Sequence, residues 1–176
     1  ALDSTTIINK LANVDSLFAV SAKDLADALA RVGSTAKDTG VKFDELLGLV
    51  TAARQITGRE GSVIGNSLKT IFQRIERPEV LENLRELGVL VEDYSGKNLS
   101  AIQILQNLGK TYDTLSQSQK NQVVQLSAGV FQANQFRAIL GDLAKQNSIT
   151  ARATDAASNA TDQASRRQAE LNKTLS

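Results

Sequence analysis

Apolar residues recur at three- and four-residue intervals along almost the whole chain, a period that suits helices and not strands. The pattern is clearest between residues 62 and 76, where Ile64, Leu68, Ile71, Phe72 and Ile75 fall on one face. A helix over 4–17 is predicted from Ile7, Ile8, Leu11 and Val14, with Ser4 as its N-cap. Ser21 reads as the cap of a second helix. There Asp24 suits the positive end of the helix dipole, and Leu25, Ala28, Leu29 and Val32 form the stripe. Gly33 either ends or kinks that helix, and Gly40 stops any continuation.

A third helix spans 43–57, with Phe43, Leu46, Leu47, Val50 and Ala53 on its apolar side and Gly58 at its end. Gly65 lies inside the 62–76 helix, where glycine costs about 1 kcal/mol relative to alanine. Close backbone packing against a neighbour accounts for it, with a hinge as the other reading. Pro78 opens a short helix carrying Val80, Leu81, Leu84 and Leu87, and Gly88 closes it. Val89-Leu90-Val91 and Lys97-Asn98-Leu99, joined by Asp93-Tyr94-Ser95-Gly96, predict one small β-hairpin. Ser100 caps a helix with Ile102, Leu105, Leu108, Tyr112 and Leu115. Ser116 caps the next, with Gln119 completing a capping box ahead of Val123, Val124 and Leu126. Phe131, Phe136, Ile139, Leu140 and Leu143 start the last helical region of the domain.

Composition narrows the chemistry. Only 4% of the 176 residues are aromatic against 41% hydrophobic, so the core is aliphatic. There is no cysteine and no histidine, which removes disulfides, thiolate zinc sites and a Ser-His-Asp triad. The net charge of +1 is not that of a nucleic-acid binder. No apolar run approaches the roughly 20 residues of a membrane-spanning helix. The start on Ala1-Leu2-Asp3 reads as an excised piece of a longer chain, and a processed terminus looks the same.

Carboxylates yield no active-site constellation. Asp44-Glu45 and Glu92-Asp93 are sequence neighbours that do not face each other on a helix. A glycosidase acid needs a second carboxylate or an organised cleft, and nothing in the sequence places Glu60 or Glu76 in such a role. The stretch Gly58-Arg59-Glu60-Gly61-Ser62 lacks the Gly-Lys-Ser/Thr ending of a phosphate loop and reads as a helix–helix turn. Lys69, Arg74 and Arg77 form a small basic cluster explained by a helix C-terminus. The chain is therefore expected not to be an enzyme, and to need no cofactor or metal.

After Gln146 the composition turns to Ala, Thr, Ser, Asn and Gln. Ile149, Ala153, Ala157 (or Ala156), Ala160, Ala164, Leu171 and Leu175 recur every three to four residues, interrupted by Arg167. This is a coiled-coil pattern with mostly alanine knobs, a candidate self-association stripe. Fully helical, it extends about 40 Å. Packing back onto the domain and disorder are the other readings. The expected fold is mainly α: a multi-helix domain with one small β-hairpin, followed by an extended C-terminal helix. Three parts result: an N-terminal helix at 1–20, a helical domain at 21–147, and an Ala-rich extended helix or coiled-coil start at 148–176.

The run from about Ser21 to Leu143 resembles the core region of phage tail tape measure proteins. The resemblance rests on an ordered set of pieces. Phe43-Asp44-Glu45-Leu46 opens a helix, and Gly65-Asn66-Ser67-Leu68-Lys69 leads into another. Leu84-Arg85-Glu86-Leu87-Gly88-Val89 then precedes Val91-Glu92-Asp93-Tyr94-Ser95-Gly96-Lys97, and Ile104-Leu105-Gln106-Asn107-Leu108 follows. Lys42 departs from the small polar cap the pattern favours, and Ala128-Gly129-Val130 from a more glycine-aromatic turn. The resemblance implies a structural tail protein that sets tail length during assembly and leaves ahead of DNA at ejection. It implies as partners other copies of itself, tail tube and tail tip proteins and tail assembly chaperones. No small-molecule substrate is expected, and DNA contact is at most indirect. Its place would be the tail tube lumen of the virion, after the host cytoplasm during assembly. The alternative is a generic helical scaffold or interaction module that self-associates.

Overall fold

The structure, a computed structural model, describes residues 2–176, without the side chains of 161–165. Its helices run α1 (Ser4–Leu17), α2 (Ala22–Asp38), α3 (Phe43–Thr57), α4 (Gly61–Ile75), α5 (Pro78–Glu86), α6 (Ala101–Tyr112) and α7 (Gln117–Ser127). A single 3₁₀ turn, Val130–Gln132, leads to α8 (Ala133–Leu143), α9 (Ile149–Ser158) and α10 (Ala160–Leu175).

The architecture is organised around α3. Every residue from Leu46 to Ala53 is buried, so this helix is enclosed on all sides and not on one stripe. α1, α2, α4, α8 and α9 surround it. One hydrophobic cluster runs from Leu11 in α1 to Ala157 in α9, largely Leu, Ile, Val and Ala with Phe72 and Phe136.

The most extensive helix pairs are α2 with α4 and α3 with α9, and glycine permits both. Gly61 and Gly65 lie one turn apart on the face of α4 that meets α2. A Cβ at Gly65 would stand 2.8 Å from the Ala28 carbonyl oxygen and 2.9 Å from Ala28 Cα, and one at Gly61 would run into the backbone of Asp24. Gly65 is thus a packing glycine and not a hinge. In the second pair, a Cβ at Gly48 would lie 2.5 Å from the Thr150 carbonyl oxygen. Gly48 and Ala52 on α3 and Ala153 and Ala157 on α9 are all buried.

The capping serines behave as expected at Ser21, Ser100 and Ser116, the last two forming full boxes with Gln103 and Gln119. Several expectations need correction. Asp3, not Ser4, caps α1: its carboxylate accepts from the Thr6 amide at 2.7 Å. Ile8 is 62% exposed, because α1 turns a narrower face of Leu11 and Val14 to the core. Gly33 neither ends nor kinks α2, which runs on to Asp38 and stops at Gly40, whose φ is +77°.

The expected β-hairpin is reduced to one antiparallel bridge between Glu92 and Asn98. The backbone that would have formed its first strand is already engaged by helices. The Val89 amide donates to Leu84 O at 2.9 Å, and Asn107 Nδ2 donates to Leu90 O at 3.0 Å. The turn itself is well formed, with Asp93 Oδ1 accepting from the Ser95 and Lys97 amides at 2.8 and 3.0 Å. The C-terminal segment is also not one helix, since α9 ends at Ser158 and Asn159 separates it from α10.

Two glycines should respond oppositely to alanine. Gly65→Ala should destabilise by about 1–3 kcal/mol, since the methyl meets backbone that must move. Gly33→Ala should stabilise by about 0.5–1 kcal/mol, because nothing lies within 4 Å of the added Cβ. Urea unfolding followed by circular dichroism reads both.

Candidate interaction surface

The seven residues of the C-terminal stripe separate into two groups. Ala153 and Ala157 are fully buried and Ala160 is 2% exposed, while Ile149 is half-buried. Leu171 and Leu175 on α10 are 56% and 84% exposed. The side chain of Ala164 lies outside the described residues. The alanine half of the stripe therefore faces α3 and α1 within the same chain, and the leucine half faces solvent.

Polar contacts hold both ends of α9. At its start, Asp142 accepts from the Ile149 amide at 2.8 Å, the Thr150 amide at 2.9 Å and the Thr150 hydroxyl at 2.7 Å. These bonds satisfy amides that a helix N-terminus leaves free. At its end, Lys10 Nζ donates to Ala157 O at 3.0 Å and Asn13 Nδ2 to Ala156 O at 2.6 Å, covering carbonyls of the last turn. Lys10 also pairs with Asp44 at 2.9 Å, and the Ser158 hydroxyl donates to Asp44 at 3.0 Å. An ammonium beside the last carbonyls suits the negative end of the helix. The spacing of apolar residues carries no trace of these contacts, because all are polar and those of Lys10, Asn13 and Asp44 join positions far apart in the chain.

Other exposed apolar side chains lie away from the stripe. Val130 and Phe131 are 76% and 93% exposed. The sequence places Phe131 at the start of the last helical region of the domain. The 3₁₀ turn displaces it, and α8 begins only at Ala133. Gly129 sets that turn with a φ of +82° and rests on the Arg74 guanidinium, which donates to Gln125 O at 3.1 Å. Arg74 thus serves the C-terminal carbonyls of α7 and not those of its own helix. The turn's Tyr94 is fully exposed.

Two grooves mark the surface. One of about 960 Å³ runs between α1, α2 and the start of α3, lined by Ile7, Leu11, Leu29 and Phe43, with Lys10 and Asp44 beside them. The other, about 920 Å³, is polar and lies between the end of α2 and the Asp93 turn. In it the Glu76 carboxyl is raised above its usual value by burial and by the nearby Asp38 charge. Among the described residues, no group of three His, Cys, Asp or Glu side chains is placed to hold a metal. None of the described helices is long and apolar enough to cross a membrane.

Asp24 ties three elements together. It accepts from the Gly61 amide at 2.9 Å and from Arg54 Nε at 3.1 Å, and takes the Ser21 hydroxyl at 3.1 Å. Burial pushes its pKa up, and the Gly61, Arg54 and Ser21 donors outweigh that, leaving it below the usual carboxylate value. A depressed folded pKa stabilises above the unfolded value near 3.9, and that stability is lost as pH falls through the folded pKa. Asp24→Asn should therefore cost about 1.5–3 kcal/mol at pH 7. The gap between variant and parent should narrow below about pH 4, as read by urea unfolding at pH 7 and pH 3.

No solved structure matches this chain. Residues 1–129, from α1 to the glycine after α7, match the family model of the phage-related minor tail proteins. With α1 to α7 inside the match, the chain belongs to the phage-related minor tail protein family.

Proposed function

We propose that this phage tail protein is the core part of a tape measure protein, which sets tail length during assembly and is released ahead of DNA at ejection. The family match over residues 1–129 carries the reading, because it covers most of the ordered set of pieces that resemble the tape measure core. In this reading the globular part anchors a helical ruler, and α10 leads out from it. Measurement is then simple geometry, since each helical residue adds about 1.5 Å. The part acts structurally and not as an enzyme. It sits in the tail tube lumen and meets tube, tip and chaperone proteins there or during assembly. Copies associate through α10, whose Leu171 and Leu175 are exposed one turn apart on one face.

In-frame deletions in the helical part of the full-length gene product should shorten tails by about 1.5 Å per residue removed, as seen by electron microscopy. Tails of unchanged length would reject the ruler. Replacing both leucines (Leu171→Asp with Leu175→Asp) should lower the mass measured by light scattering toward that of a monomer. An unchanged mass would reject association through α10.

A further inference from the structure

We infer that α9 is a latch: it undocks from α3 as one unit, carrying α10 with it, while the rest of the helical core stays folded. The reason lies in what α9 buries. Its fully buried side chains are Thr150, Ala153 and Ala157, and none is larger. By contrast, α4 buries Ile64, Leu68, Ile71, Phe72 and Ile75. On the facing side of α3, Gly48 presents no side chain to α9, so the two backbones meet there directly. α9 withdraws no large, fully buried side chain when it leaves.

The fastening is instead at the ends, in the Asp142 bonds at the start and the Lys10, Asn13 and Asp44 bonds at the finish. Water can take over such bonds once the helix lifts, whereas it does not replace the packing of buried leucine and isoleucine. Low apolar burial is the property that places a segment among the first to open. A pivot is present as well: residues 144–147, between α8 and the Ser148 cap, are all exposed.

The latch has a consequence for contact between copies. Ala153 and Ala157 face α3 while α9 is docked, so they can meet a second copy only after release. Docked, the stripe presents Leu171 and Leu175 as its exposed leucines among the described residues; released, it adds Ala153 and Ala157. The inference does not depend on the tape measure reading, because it concerns an opening within one chain.

Hydrogen exchange of the full chain, run at a dilution where it is monomeric, tests this. Amides of α9 should exchange about 100-fold faster than those of α4. Two variants weaken opposite ends: Asp142→Ala removes the clamp on the first turn, and Asn13→Ala removes one on the last. Each should speed exchange across the whole of α9, including the end it does not touch, and leave α4 unchanged. Acceleration confined to the altered end means fraying and overturns the latch. A common rate for α9 and α4, or loss of the whole fold in either variant, also overturns it.

Discussion

Close backbone contact between helices is the constraint on which the rest of this structure depends. Glycines at Gly48, Gly61 and Gly65 let α3 meet α9 and α4 meet α2 at distances that a Cβ would forbid. With so few aromatic residues, the core cannot be filled by large side chains spanning wide gaps. Drawing the helices together is the remaining way to reach the packing density of a protein interior. α3 shows the result: it is enclosed on every side, with its polar Thr51 hydroxyl satisfied by its own Leu47 carbonyl at 2.7 Å.

Carboxylates then fix the order in which helices join. Asp24 at the start of α2 covers the first amide of α4, and Asp142 near the end of α8 covers the first amides of α9. Each is a cap supplied by another helix, so the junction and the helix terminus stabilise each other. Glu45 does a local version of the same thing by accepting from the Lys42 amide at 2.9 Å. The lysine in the cap position is tolerated because the bond comes from the glutamate three residues on; a lysine side chain has no acceptor to offer.

The family match ends at residue 129, but the hydrophobic cluster does not. Phe136, Ile139 and Leu140 of α8 and Ala153 and Ala157 of α9 belong to the same core as Leu25 and Leu68. The tail-protein region and the segment after it are therefore physically coupled.

Much of the fold was legible because helix periodicity and capping are local. The faces of α2, α4, α5 and α6, the caps at Ser21, Ser100 and Ser116 and the Gly58 and Gly40 stops follow from residues within one or two turns. The same local reading failed where a distant partner decided the outcome. Leu90 has the neighbours of a strand residue, but its carbonyl is taken by Asn107. Phe131 has the spacing of a core residue, yet it lies outside the helix that would have buried it.

The candidate surface was legible only in part, for a related reason. An alanine at helical spacing suits contact with another chain and contact with its own chain equally well. The sequence by itself determined that this chain is helical, aliphatic and without thiol or imidazole chemistry, because period and composition are properties of the residues themselves. Tertiary structure decided that Ala153 and Ala157 face inward, that Gly48 is a contact point, and that the expected single C-terminal helix divides at Asn159. Those outcomes depend on which surface lies within a few ångströms, and only the folded chain brings that surface there.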